Sequence, residues 1–223
     1  MFTIRSNARI SRVAGFSALL LLAACGSGSE TGLQPPTAPP ASSPETGTGN
    51  PAPHTEPVPD SISLAAAYTD VSNAGGQPNW TEGSGTGQPI DGVACVTSEA
   101  YHIHSIVSIY RDGTRMAVPA HIGLQGCTYE LHTHDSTGIV HVETDAAKAF
   151  TLGQFFAVWG KNVTRSDIAG LPGTVRYYLV DKEVISPFIG TPGDIELLDQ
   201  REILIVVGTA PAIIPRYRWS PAP

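Results

Sequence analysis

Hydrophobic and polar positions alternate through the middle of the chain. His102 to Arg111 alternates and is rich in β-branched residues, and Asp112-Gly113 follows it. Asp-Gly between two such runs is a two-residue hairpin signal, so Thr114 to Val118 is expected as the returning strand, ended by Pro119. A second hairpin is expected around Asp135-Ser136-Thr137-Gly138, which is a turn by composition. With an even-numbered loop, the cross-strand pairs are His134 with Ile139, His132 with His141, and Glu130 with Glu143. Tyr129, Leu131, Val140 and Val142 then share the opposite, core-facing side, and this clean alternation sets the register.

Elsewhere the pattern is sparser. Ile90 to Val96 reads as a strand, and Ser61 to Tyr68 reads equally as a short helix or a strand. Thr151 to Trp159 reads as the one clear helix: Thr151 is a capping residue, and Leu152, Phe155, Phe156 and Trp159 recur at helical spacing. Val175 to Val180 and Glu183 to Ile185 form another hairpin pattern around Asp181-Lys182. Ile195 to Leu198 is a short run, Glu202 to Val207 a buried strand, and the Pro-rich tail from Ala210 is expected to be loose. The fold class that follows is α+β, β-dominated, with antiparallel hairpins and one packed helix.

The N-terminal end reads as an export signal. Arg5, Arg9 and Arg12 precede the short apolar stretch Val13 to Leu22, which ends Leu22-Ala23-Ala24-Cys25-Gly26. That string looks like a bacterial lipobox, in which Cys25 is diacylated with palmitate-type chains and becomes the mature N-terminus. An ordinary cleaved signal or a signal anchor is the alternative. The expected organisation is a signal peptide over 1–24, a lipidated Cys and Pro/Gly/Ser/Thr-rich tether over 25–60, one globular domain over 61–210, and a Pro-rich tail over 211–223. Such a tether cannot bury enough apolar surface to offset its ordering entropy, and His54 within it is expected to be inert. The lipid reading places the domain in the bacterial cell envelope, outside the cytoplasm, at the outer membrane if the cell is Gram-negative. The membrane is then a partner only through the lipid anchor.

Charge and cysteine count narrow the partners. The formal net charge is −7; residues 1–24 carry three arginines and no acids, so their removal takes it to −10. That balance argues against nucleic acid and is compatible with cation capture. With Cys25 lipidated, Cys95 and Cys127 remain, and an oxidising compartment favours a disulfide between them over copper-binding thiolates. Its loop of about 32 residues corresponds to roughly 3 kcal/mol of chain entropy.

The candidate chemistry lies in the histidines. Six of seven fall between His102 and His141. His132, His134 and His141 share one hairpin face, His102 and His104 share a face of another strand, and His121 sits in a loop just past Pro119. Imidazole is a common metal ligand, and residues two apart on a strand point the same way. An all-imidazole set suits Cu(II), Zn(II) or Ni(II), with Cu(II) and Zn(II) favoured. Adding Glu143 widens the choice to Fe(II) or Mn(II). Glu130 reads as a surface residue more readily than as a ligand. Only Met116 survives export, which argues against a Met-rich Cu(I) chaperone. There is no His-Glu-x-x-His, no phosphate loop and no aspartic-protease pair. The spacing Gly126-x5-His132-x-His134 matches part of a cupin signature, but the cupin glutamate position falls at Gly138 or Ile139.

The strings Tyr101-His-Ile-His, Val118-Pro-Ala-x-Ile-Gly, Cys127-x-Tyr-x-Leu-His-Thr-His-Asp-x-x-Gly-x-x-His-x-Glu143 and Thr151-Leu-Gly-Gln-Phe-Phe-x-x-Trp-Gly160 resemble an uncharacterised family of exported prokaryotic proteins. The likeness runs through most of residues 90–208. It implies that the histidine hairpin is one unit and carries no activity to transfer. Three readings of function remain open: metal capture or handover, a metalloenzyme (oxidoreductase or hydrolase) using the same ligands, and an envelope interaction module whose histidines are incidental or sense pH. The sequence assigns no catalytic residue and no protein partner.

Overall fold

The computed structural model describes residues 60–219. The signal segment, Cys25, the tether with His54 and the last four residues lie outside the described residues. The expected β-dominated α+β class is what forms. The main sheet contains β2 (Tyr101–Arg111), β3 (Thr114–Met116), β4 (Leu131–His132), β5 (Ile139–Thr144), β8 (Val175–Asp181), β9 (Val184–Phe188) and β10 (Glu202–Val207). Its order is β4-β5-β2-β10-β8-β9, with β3 paired to β2. Every pairing in it is antiparallel except β2 with β10, which is parallel. Outside it lie β1 (Ser63–Asp70) and β11 (Ile213–Arg218), paired with each other in parallel, and the short hairpin of β6 (Asp167–Ile168) and β7 (Leu171–Pro172).

The two faces of this sheet have different cover. On one face Val107, Ile109, Leu131, Val140, Val142, Ile203 and Ile205 pack against α1 (Leu152–Trp159), the one α-helix among the described residues, which buries Leu152, Phe155, Phe156, Val158 and Trp159. Thr151 caps it through a reciprocal box with Gln154, and Gly160 ends it in the left-handed conformation. On the other face Tyr110, Tyr178, Leu204 and Val206 pack with Ile214 of β11. Covered on both sides, β10 is apolar throughout after Glu202. Glu202 itself is 4% exposed, and its Oε1 has no hydrogen-bond partner among the described residues. Burial raises its carboxyl pKa to about 7, against the lowering influence of Ser108 and Arg115.

Three expectations are corrected, and the short run at Ile195 to Leu198 is placed. The segment 210–218 is not a loose tail: Ile213–Arg218 finds a partner in β1, which also resolves Ser61 to Tyr68 in favour of a strand. Ile90 to Val96 is not a continuous strand. Asp91 and Gly92 both take positive φ, so Ile90 and Val93 close a tight turn on each other and only Cys95 bridges outward, to Tyr129. This is the same Asp-Gly chemistry that turns the chain at Asp112-Gly113. Ile195 to Leu198 forms no strand; a single bridge, Thr151 to Glu196, is made there. Glu130 is buried rather than superficial, its Oε2 accepting from the Ala94 amide and from Lys148 Nζ, each at 2.8 Å. The disulfide Cys95–Cys127 is present, with Cα atoms 5.9 Å apart. It ties the start of the histidine hairpin to the 87–96 loop.

Candidate metal centre

Strand register assembles the site. His132 pairs with His141 across β4 and β5. His141 pairs with His104, and Glu143 with His102, across β5 and β2. Because side chains two apart share a face, three adjacent strands project His132, His141, Glu143, His102 and His104 to one side. The anticipated pairing of His132 with His141 is therefore present. The pairing of His134 with Ile139 is not, because the β4–β5 ladder ends at His132. Thr133 instead exchanges backbone hydrogen bonds with His121 and Ile122, and its hydroxyl donates to the Pro119 carbonyl. His134 nonetheless returns to the cluster, its Nε2 3.2 Å from Nε2 of His132.

The turn that joins the strands is locally determined. Asp135 Oδ1 accepts from the Thr137 amide and hydroxyl, an Asx-turn arrangement. Gly138 follows with φ 87°, and its carbonyl accepts from the Val107 amide. A Cβ at residue 138 would lie 2.3 Å from the Val107 carbonyl oxygen, so only glycine lets the turn dock on β2.

The donor atoms lie at ligand spacing. His102 Nε2 is 3.2 Å and His104 Nε2 3.0 Å from His141 Nδ1. Glu143 Oε1 is 3.1 Å from His102 Nε2 and 3.4 Å from His141 Nδ1, while its Oε2 is 3.7 Å from His132 Nε2. Two nitrogens each about 2.0–2.1 Å from a tetrahedral ion stand roughly 3.3 Å apart. The donors fall into two groups, each within 4.8 Å: His132, His134, His141 and Glu143, and His102, His104 and His141.

Orientation and protonation favour ligation. His132 is fully buried, and its Nδ1 lies 2.8 Å from the Tyr129 carbonyl. A carbonyl only accepts, so Nδ1–H donates and the Nε2 lone pair faces the cluster. Burial, opposed by that carbonyl, takes the His132 pKa down to about 4. Burial, followed by the neighbouring His104, takes His141 down to about 2. Burial and then His102 also lower His104. Burial raises Glu143, while His102 opposes the shift. The buried rings are therefore neutral at pH 7, which is the form that binds metal, and their contacts with Glu143 are not ion pairs.

Of the remaining sequence candidates, His121 stands apart. It is exposed in a left-handed turn, 3.7 Å from Glu82 Oε2, and belongs to neither donor group. Cys95 and Cys127 are consumed by their disulfide. Two supporting groups were not anticipated: the Tyr129 carbonyl behind His132, and Asp199, whose Oδ1 accepts from the His104 amide at 3.3 Å. The first is a backbone atom and the second lies 95 residues away in sequence, so neither leaves a local pattern. The arrangement can hold a metal ion through imidazole and carboxylate. Comparison of the chain with protein-family models, with curated proteins and with solved structures gives no match, so the chemistry of this cluster carries the functional reading.

Proposed function

We propose that this protein captures a transition-metal ion outside the cytoplasm and stores it or hands it on. The observation that carries the reading is the convergence of imidazole nitrogens and one carboxylate at 3.0–3.4 Å around His141. Imidazole-rich sets favour Cu(II) or Zn(II), and Glu143 admits Fe(II) or Mn(II). The Leu-Ala-Ala-Cys25 string supports a lipid anchor in the bacterial envelope, and the likeness to exported prokaryotic proteins belongs to the same proposal. The acidic balance of the chain favours a cation as partner over nucleic acid.

Metal analysis of untagged protein, purified without a nickel column, tests this. Retention of Cu or Zn near stoichiometric amounts is expected. Protein that arrives metal-free and takes up none of Cu, Zn, Ni, Fe or Mn overturns the reading and leaves the histidine face as an interaction or pH-sensing surface. Mass spectrometry of the N-terminal peptide tests acylation of Cys25 separately.

A second reading, a metalloenzyme with the same ligands, is favoured by one observation. His134 is exposed and His102 and His104 are half-buried, so an ion there meets solvent on its outer side. An exchangeable water on the metal is what catalysis requires. Resonance or relaxation measurements that detect such a water favour this reading; a closed shell of four protein ligands counts against it.

A further inference from the structure

We propose that the histidine face is a two-ion centre. One ion is held by His102 Nε2, His104 Nε2 and His141 Nδ1. The second is held by His132 Nε2, His134 Nε2 and Oε2 of Glu143, whose Oε1 faces the first ion's ligands. The inference rests on the metal-binding reading above and extends it.

Geometry separates the donors. Ligands of a single ion with bonds of about 2.1 Å lie no more than about 4.2 Å from one another. The six side chains do not fit within one such shell, since even at 4.8 Å they divide into two groups that overlap at His141. The closest spacings within each group are those of a single coordination sphere: 3.2 Å and 3.0 Å to His141 Nδ1 in the first, and in the second 3.2 Å between His132 and His134 Nε2 and 3.7 Å between His132 Nε2 and Glu143 Oε2.

The two oxygens of Glu143 then have distinct tasks. Oε1 is 3.1 Å from a nitrogen of the first group, His102 Nε2, and Oε2 is 3.7 Å from a nitrogen of the second, His132 Nε2. A carboxylate turned this way bridges two cations, and its charge offsets their repulsion. Ions so bridged in two-metal sites sit about 3.5–4 Å apart. Glu143 is 5% exposed, so its charge is held between the groups rather than spent on solvent. The ring of His141, nearly parallel to His132 at 12° and edge-on to His104 and His134, packs against ligands of both groups while its Nδ1 serves the first.

The test is stoichiometry on the full, untagged chain, titrated with Zn(II) or Co(II) and with Cu(II). Two ions per chain are expected. The two Cu(II) spins should couple, so that the resonance signal integrates to well under two per chain. One ion per chain overturns the two-ion centre and leaves the metal-binding reading intact; none overturns both. His104→Ala and His134→Ala should each lower the stoichiometry from two to one with the uncoupled Cu(II) signal restored, and Glu143→Gln should abolish the coupling. Loss of both ions, or of neither, in folded forms of both histidine variants would overturn the division. Folding is checked by thermal unfolding, with His104→Gln and His134→Gln as replacements for an alanine variant that fails it.

Discussion

His132 and His141 face each other across β4 and β5 with ring centroids 5.2 Å apart and planes within 12° of parallel. One ring is fully buried with its Nδ1–H committed to the Tyr129 carbonyl, and the other is half-buried between the two donor groups. The pair is a rigid floor to which the more exposed histidines add, and the metal need not order it on binding.

Removing that floor should cost more than removing its rim. His132→Ala deletes a ligand and leaves the Tyr129 carbonyl without its donor, at about 1–3 kcal/mol of stability. Metal affinity should fall by more than the roughly 10–100-fold typical of losing an outer supporting partner. His121→Ala should change neither quantity. Isothermal titration and chemical denaturation of the two variants check the contrast.

Metal should stabilise the fold by mass action, because the six donors come from three strands and the loop after β4, and the unfolded chain does not preorganise them. At a free ion concentration of about 100 times Kd the gain is about 2.7 kcal/mol. Differential scanning measurements with and without chelator should show a higher Tm for the loaded protein. An unchanged Tm under saturating metal would place the ion elsewhere.

Glu202 predicts a pH dependence. Its folded pKa is raised from 4.5 to about 7 by burial, so the folded state holds a proton that the unfolded state releases earlier. The associated stability is present below about pH 4.5 and is lost as pH rises through about 7. Glu202→Gln removes this titration. The stability difference between variant and native protein should shift toward the variant by on the order of 3 kcal/mol between pH 4 and pH 8. Urea denaturation of both forms across that range reads it directly.

The disulfide should support the site from behind. Cys127 lies two residues before Tyr129, whose carbonyl orients His132, and Cys95 anchors it to the opposing loop. A Cys95→Ser/Cys127→Ser double variant should lose about 3 kcal/mol of stability. It should still bind metal, since neither sulfur belongs to a donor group. Abolished binding in folded double variant would mean that the bridge is part of the site.

Gly138 offers a test of the turn. Gly138→Ala places a methyl group against the Val107 carbonyl at a position with φ 87°. The variant should be destabilised by at least about 1 kcal/mol, and metal affinity should fall with it because β5 carries His141 and Glu143. Metal affinity unchanged in the face of a clear stability loss would show that the site tolerates a shifted turn.

Local chemistry alone determined much of this protein. The period-2 alternation of residues 129–132 and 139–143 forces Tyr129, Leu131, Val140 and Val142 inward and turns His132, His141 and Glu143 to the other face, because a one-residue slip would bury the wrong set. The Thr151 cap and the aromatic spacing after it likewise specify the helix within its own few residues. Only the tertiary structure decided that β5 lies beside β2, which sets His102 and His104 against His141 and makes two donor groups out of two separate histidine pairs. It also decided that β1 and β11 pair across some 150 residues, and that Glu202 and Glu130 are buried. The reason is physical: a strand's own pattern specifies which side chains share a face, while its neighbour is chosen by packing and hydrogen bonding across the whole sheet.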